Sequence, residues 1–95
     1  MAVRVVALIK AQDGQQQAVG DELRKLAEAS RGEDGCLSYE LFVSSADPLT
    51  FATVELWDSQ AALEAHNSGP HPAAASQAAG HLLAAPPEIH PITPF

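Results

Sequence analysis

Basic residues are few and confined: the chain has five Lys and Arg, and none follows Arg31. Twelve Asp and Glu give it a formal charge of −7. A surface of this sign repels phosphate backbones, and no basic stripe is present to bind one, which argues against a nucleic-acid partner. The same balance argues against an anionic membrane. Cysteine is limited to Cys36, so neither an intrachain disulfide nor a cysteine-based metal cluster can form within one chain. Within "GCLSY" it reads as a small hydrophobe at the start of a strand. No run approaches transmembrane length. The apolar start "MAVRVVALIK" is interrupted by Arg4 and Lys10 and lacks the pattern of a signal peptide, so the cytoplasm is the expected location. A Gly-rich phosphate cradle, a nucleophile elbow, a CxxC pair and an HExxH motif are all absent. Any chemistry must use the substrate's own reactivity, a loosely recognised cofactor or simple acid–base groups.

Ninety-five residues, 46% of them apolar and 18% charged, suit one domain spanning 1–95. A chain this short is marginal alone, and association with a second copy is a natural way to complete its core. "VRVVALIKA" (3–11) reads as a strand buried on both faces. From Gln16 to Ser30 apolar residues recur at helical spacing, with Gly20 as a local cost. "CLSYELFVS" (36–44) and "LTFATVELW" (49–57) read as a hairpin across "SADP". Both faces of that hairpin carry apolar groups, so both need cover, by helices on one side and a second chain on the other.

Asp58 or Ser59 can cap a helix from Gln60 that ends near "NSGP". A further helical segment spans about 72–83, and an edge strand about 88–93, which Pro91 confines to an edge. The order β-α-β-β-α-β, with the second helix broken, matches the ferredoxin-like α+β arrangement.

Several side chains could carry chemistry. His66, near the end of the broken helix, can take a proton or bond an oxygenated ligand; a partly buried histidine bonded to a carbonyl is the plainer reading. Asn67 can donate to an anionic oxygen or serve as a helix cap. Trp57 can wall an aromatic ligand or fill the core. The Tyr39 hydroxyl can orient a phenol oxygen or simply pack. Glu55, on the Trp57 face, needs a partner, such as Arg4 or an arginine of a second subunit. His66 and His71 are five residues apart, off the spacing that aligns ligands on a helix, so a metal site of His66, His71 and Glu64 lacks a specific motif. His81 and His90 read as surface or packing residues.

"EDGCLSYEL" and "TFATVELWDSQAALEAHNSGPH" together resemble the antibiotic biosynthesis monooxygenase family, including its quinol monooxygenase-like members. Glu55, Trp57, Ala62, Leu63, His66 and Ser68 stand at matching positions of the second stretch, with His71 where the family often has a histidine. Pro72 departs from the pattern, which often has an aromatic there. The family also resembles haem-degrading monooxygenases, but these place an aromatic where His66 stands and an axial histidine where this chain has Ser76; His81 is out of register.

The resemblance implies a ferredoxin-like homodimer, the dimeric α/β-barrel. It also implies oxidation of a phenolic, quinol or polyketide-like aromatic by molecular oxygen, without metal, flavin or haem. In that reading His66, Asn67 and Tyr39 are catalytic, and Trp57, Phe51 and His71 bind substrate. A non-catalytic dimeric binder of a small aromatic metabolite, or an isomerase on the same fold, stays open beside it.

Overall fold

The computed structural model of the chain describes residues 1–95. Its elements run β1 (Val3–Lys10), α1 (Gln16–Arg31), β2 (Cys36–Val43), β3 (Thr50–Trp57), α2 (Gln60–Asn67), α3 (Pro70–Ala79), a 3-10 turn (Gly80–Leu82) and β4 (Glu88–Ile92). The expected order is therefore present, and most element bounds differ by a residue or two; the last helical segment, expected over about 72–83, is an α-helix only to Ala79 and ends in the 3-10 turn. The break between α2 and α3 is tighter than expected: Ser68 caps α2 and Pro70 already opens α3. Proline is well placed there, because a first-turn N–H has no helical partner to lose.

The strands form one antiparallel sheet in the order β2-β3-β1-β4. It is open within the chain, not a closed barrel. Alternation sorts the residues of β3 cleanly: Phe51, Thr53, Glu55 and Trp57 are buried, and Ala52, Val54 and Leu56 are only partly so. The helices cover the first face. There Ala7, Ile9, Val19, Leu23 and Phe51 make one apolar cluster, and Val5, Ala27, Tyr39, Trp57 and Leu63 make the other. Cys36 packs against the second. Gly20 has a packing reason: a Cβ there would stand 3.2 Å from the Phe51 ring.

The opposite face has no cover within the chain. Register places Val6, Leu8, Phe42, Val54, Leu56 and Ile92 on it, and Leu8, Phe42 and Ile92 are exposed. Both rims of the sheet are irregular. The β2–β3 register shifts between Cys36 and Ser38, where Leu37 is the extra residue, and Pro91, which has no N–H, stands within β4.

Candidate functional site

β2 and β3 set the floor of the site. Tyr39 lies opposite Glu55 across the pair, and both point into the helix-covered face beside Thr53 and Trp57. Ser59 starts α2 by accepting the Ala62 N–H at 3.1 Å. One turn of helix then presents Leu63 and His66 to the same core, the two buried residues of α2.

His66 lies over the Trp57 indole, with ring centroids 4.6 Å apart and planes at 34°. Tyr39 meets Trp57 edge-on at 6.5 Å and His66 at 5.9 Å. The three rings that sequence reasoning singled out are thus one cluster.

A cavity of about 560 Å³ opens beside this cluster, within the range of small-molecule sites. Tyr39, His66, Asn67, Thr53 and Glu55 supply its polar atoms near the sheet. Leu23, Leu26, Ala79 and Leu83 are among its apolar walls, and Ile89 stands at the β4 side. No Lys or Arg lines it.

Trp57, Phe51 and His71 are not in the wall. Trp57 is fully buried behind His66, because the β3 alternation turns it into the core beneath α2. Phe51 is buried against Gly20 at the far end of the strand. His71, in the first turn of α3, turns away toward the loop after α1. Within the chain, these three expected substrate-binding positions stand behind or beside the cavity, not in its wall.

Glu55 is a buried carboxylate with both oxygens engaged. It accepts from the Thr53 hydroxyl at 2.9 Å and from the Trp57 indole N–H at 3.0 Å. Arg4 cannot be its counter-charge: Arg4 pairs with Leu56, on the other face of the sheet. Burial, reinforced by the charge of Glu55, pushes the Tyr39 phenol well above its ordinary range. Tyr39 therefore stays protonated and acts as a hydrogen-bond donor, not as a base.

Glu33 is the residue that sequence reasoning missed. It sits in the short loop between α1 and β2, and its carboxylate lies 3.1 Å from His66 Nδ1 and 2.7 Å from His71 Nδ1. Thirty-three positions separate Glu33 from His66, so no local spacing could flag the pair. Its place in "EDGCLSYEL" was the only signal. Partial burial pulls its carboxyl up, but hydrogen bonds from His71 and His66 outweigh that and hold it below the ordinary glutamate value.

Gly35 anchors this loop. Its φ of +82° favours glycine, and a Cβ there would stand 2.5 Å from the Ala62 Cβ. The Asp58 N–H bonds the Gly35 carbonyl at 2.8 Å, fixing the loop against the start of α2.

The remaining candidates fall into structural places. Asn67 is exposed on the last turn of α2 at the cavity, and capping belongs to Ser68, whose hydroxyl donates to the Glu64 carbonyl at 2.7 Å. Glu64, His81 and His90 are exposed. No group of three His, Cys, Asp or Glu side chains is arranged to hold a metal ion, and the Nδ1 atoms of His66 and His71 both face Glu33. No helix is long and apolar enough to cross a membrane.

Comparison with known proteins agrees with this architecture. Residues 2–78 match the model of the family described as antibiotic biosynthesis monooxygenase. A probable quinol monooxygenase, YgiN of Escherichia coli, is 36% identical over a stretch covering 78% of this chain and 81% of its own. PA3566 of Pseudomonas aeruginosa superposes with a TM-score of 0.90 at 33% identity, covering 99% of this chain and 94% of its own. Rv0793 of Mycobacterium tuberculosis gives a TM-score of 0.90 at 27% identity, covering 100% and 96%. With its fold, its strand–helix corner and most of its length in common with these proteins, the chain belongs to the antibiotic biosynthesis monooxygenase family.

Proposed function

We propose that this protein is a cofactor-independent monooxygenase of an uncharged phenolic or quinol substrate. The observation that carries the reading is the cavity: apolar walls, a polar floor of Tyr39 and His66, and no cation to hold a carboxylate or phosphate. An aromatic ring buries well against such walls, and a phenol hydroxyl finds both a donor and an acceptor on the floor.

The chemistry needs little from the protein. His66 takes the proton of the bound hydroxyl, and the electron-rich phenolate reduces molecular oxygen directly. For a hydroquinone, one oxygen atom enters the ring and the other leaves as water. The product is the hydroxyquinone, so the ring supplies all four electrons. Tyr39 and Asn67 orient the oxygens, and the apolar walls thin the water around the reacting centre. The family membership and the relative named as a probable quinol monooxygenase support this reading.

Two copies complete the molecule. The uncovered sheet face carries Val6, Leu8, Phe42, Val54, Leu56 and Ile92, a patch that a second sheet would remove from water. Light scattering at micromolar concentration gives the mass of two chains in this reading; a monomer refutes it.

Activity is tested by oxygen uptake. Metal-free protein consumes oxygen with hydroquinones or anthrone-like phenols faster than its His66→Ala variant does. Equal rates across a broad panel remove the monooxygenase reading, and saturable binding without oxygen uptake replaces it with a binding role.

A further inference from the structure

We propose that Glu33 is a positioning residue that fixes His66 as the Nδ1–H tautomer, so that the Nε2 lone pair is the one offered to the cavity. The inference rests on the reading of His66 as the base.

An ionised carboxylate has no proton to give, so each nitrogen that bonds it must be the donor. Glu33 meets two ring nitrogens, Nδ1 of His66 at 3.1 Å and Nδ1 of His71 at 2.7 Å. Both imidazoles must therefore carry their hydrogen on Nδ1. In a neutral ring that leaves Nε2 unprotonated. This is opposite to the preference of free histidine, which favours hydrogen on Nε2, so the carboxylate imposes the less common form.

The two edges of the His66 ring are thereby divided. Glu33 does not line the cavity, whereas His66 does, so the Nδ1 edge is committed outside it. Side-chain exposure rises along the chain of contacts, from 6% for His66 to 20% for Glu33 and 39% for His71. The base is thus buried, and its support reaches the surface. When His66 takes a substrate proton on Nε2, the resulting imidazolium already faces a carboxylate on its other nitrogen, which stabilises the charge as it forms.

The surroundings hold this arrangement still. Trp57 stacks on one face of the ring. The Glu33 loop is tied at both ends, by the Glu33 N–H to the Ser30 carbonyl at 3.0 Å and the Cys36 N–H to the Glu33 carbonyl at 3.1 Å. His71 takes the same Glu33 oxygen that also lies 3.1 Å from His66. It keeps the carboxylate from turning away.

The test reads the tautomer and the rate separately. In ¹⁵N-labelled protein at mildly alkaline pH, long-range proton–nitrogen spectra show His66 with Nδ1 protonated and Nε2 bare. Glu33→Ala shifts the ring toward Nε2–H and lowers kcat for quinol-dependent oxygen uptake by about ten- to a hundredfold, the scale known for carboxylates that orient metal-binding histidines, with KM little changed. Glu33→Gln, whose amide oxygen can still accept, keeps more of both. An Nε2–H tautomer in the parent protein, or a folded Glu33→Ala that keeps tautomer and kcat, overturns the proposal. If the parent turns over no quinol, the oxygenase reading falls, and the spectra of the parent and Glu33→Ala still decide the role of Glu33.

Discussion

Trp57 does not line the cavity, yet it lies against His66 at 4.6 Å and donates its indole N–H to Glu55 at 3.0 Å. One side chain therefore supports the histidine above it and satisfies a buried carboxylate beside it. Trp57→Phe keeps a ring under His66 but removes the donor and leaves a void where the larger, fully buried indole stood. Leaving a Glu55 oxygen unpaired costs about 1–3 kcal/mol of stability, measurable by urea denaturation followed by circular dichroism, since the variant has no tryptophan to report. A loss close to zero would show that water replaces the indole.

Gly35→Ala attacks the loop from its backbone. The residue has φ +82°, and the added methyl would meet Ala62 and the Asp58 carboxylate. The expected cost is more than about 1 kcal/mol, since the conformation does not suit an L side chain. The same substitution displaces Glu33 from His66, so oxygen uptake falls further than the lost fraction of folded protein explains.

The Glu33 contacts also predict a pH dependence of stability. Its carboxyl titrates below the ordinary value in the folded chain, so the unfolded chain binds the proton first as pH falls. The contribution is complete above the unfolded value of about 4.5 and is lost as pH drops through the lower folded value. Glu33→Gln lacks this titration. Denaturation midpoints of the two proteins are expected to differ most near neutrality and to converge in acid; a constant difference contradicts the assignment.

Ligand charge gives a further check. With Glu22 and Glu55 in the cavity wall and no Lys or Arg, an uncharged hydroquinone binds more tightly than the same ring bearing a carboxylate or sulfonate. The expected ratio is tenfold or more, read by calorimetry or competition. Tighter binding of the anionic ring would point to a cation brought by a second chain.

Much of this is legible in the sequence. The hairpin, both amphipathic segments and the edge strand follow from alternation, helical spacing and the proline and glycine punctuation of a short chain. That Tyr39, Trp57 and His66 would lie near one another is legible too, since a hairpin and the helix after it carry them. Facing was harder. Period two correctly put Phe51, Thr53, Glu55 and Trp57 on one side of β3, but it could not say that Trp57 would sink behind His66, because that depends on where α2 crosses the strand. Glu33 was unreadable for a related reason: its meeting with His66 and His71 is made by tertiary packing of a loop against a helix that starts far downstream. The pairing of Glu55 with Arg4 failed on strand register, which puts Arg4 beneath the other face.

The irregular rims of the sheet bear on how copies of this protein can meet. A proline in β4 offers no N–H to an incoming strand, and the extra residue at Leu37 breaks the regular ladder along β2. Each outer edge is thus a poor template for adding another chain by backbone pairing, the route by which open sheets grow into fibres. In the two-copy reading, recognition falls to the uncovered side, where Val6, Leu8, Phe42, Val54, Leu56 and Ile92 would meet a second copy through their side chains. The bulge in β2 and the proline in β4 thus disfavour backbone pairing at both rims of the exposed sheet.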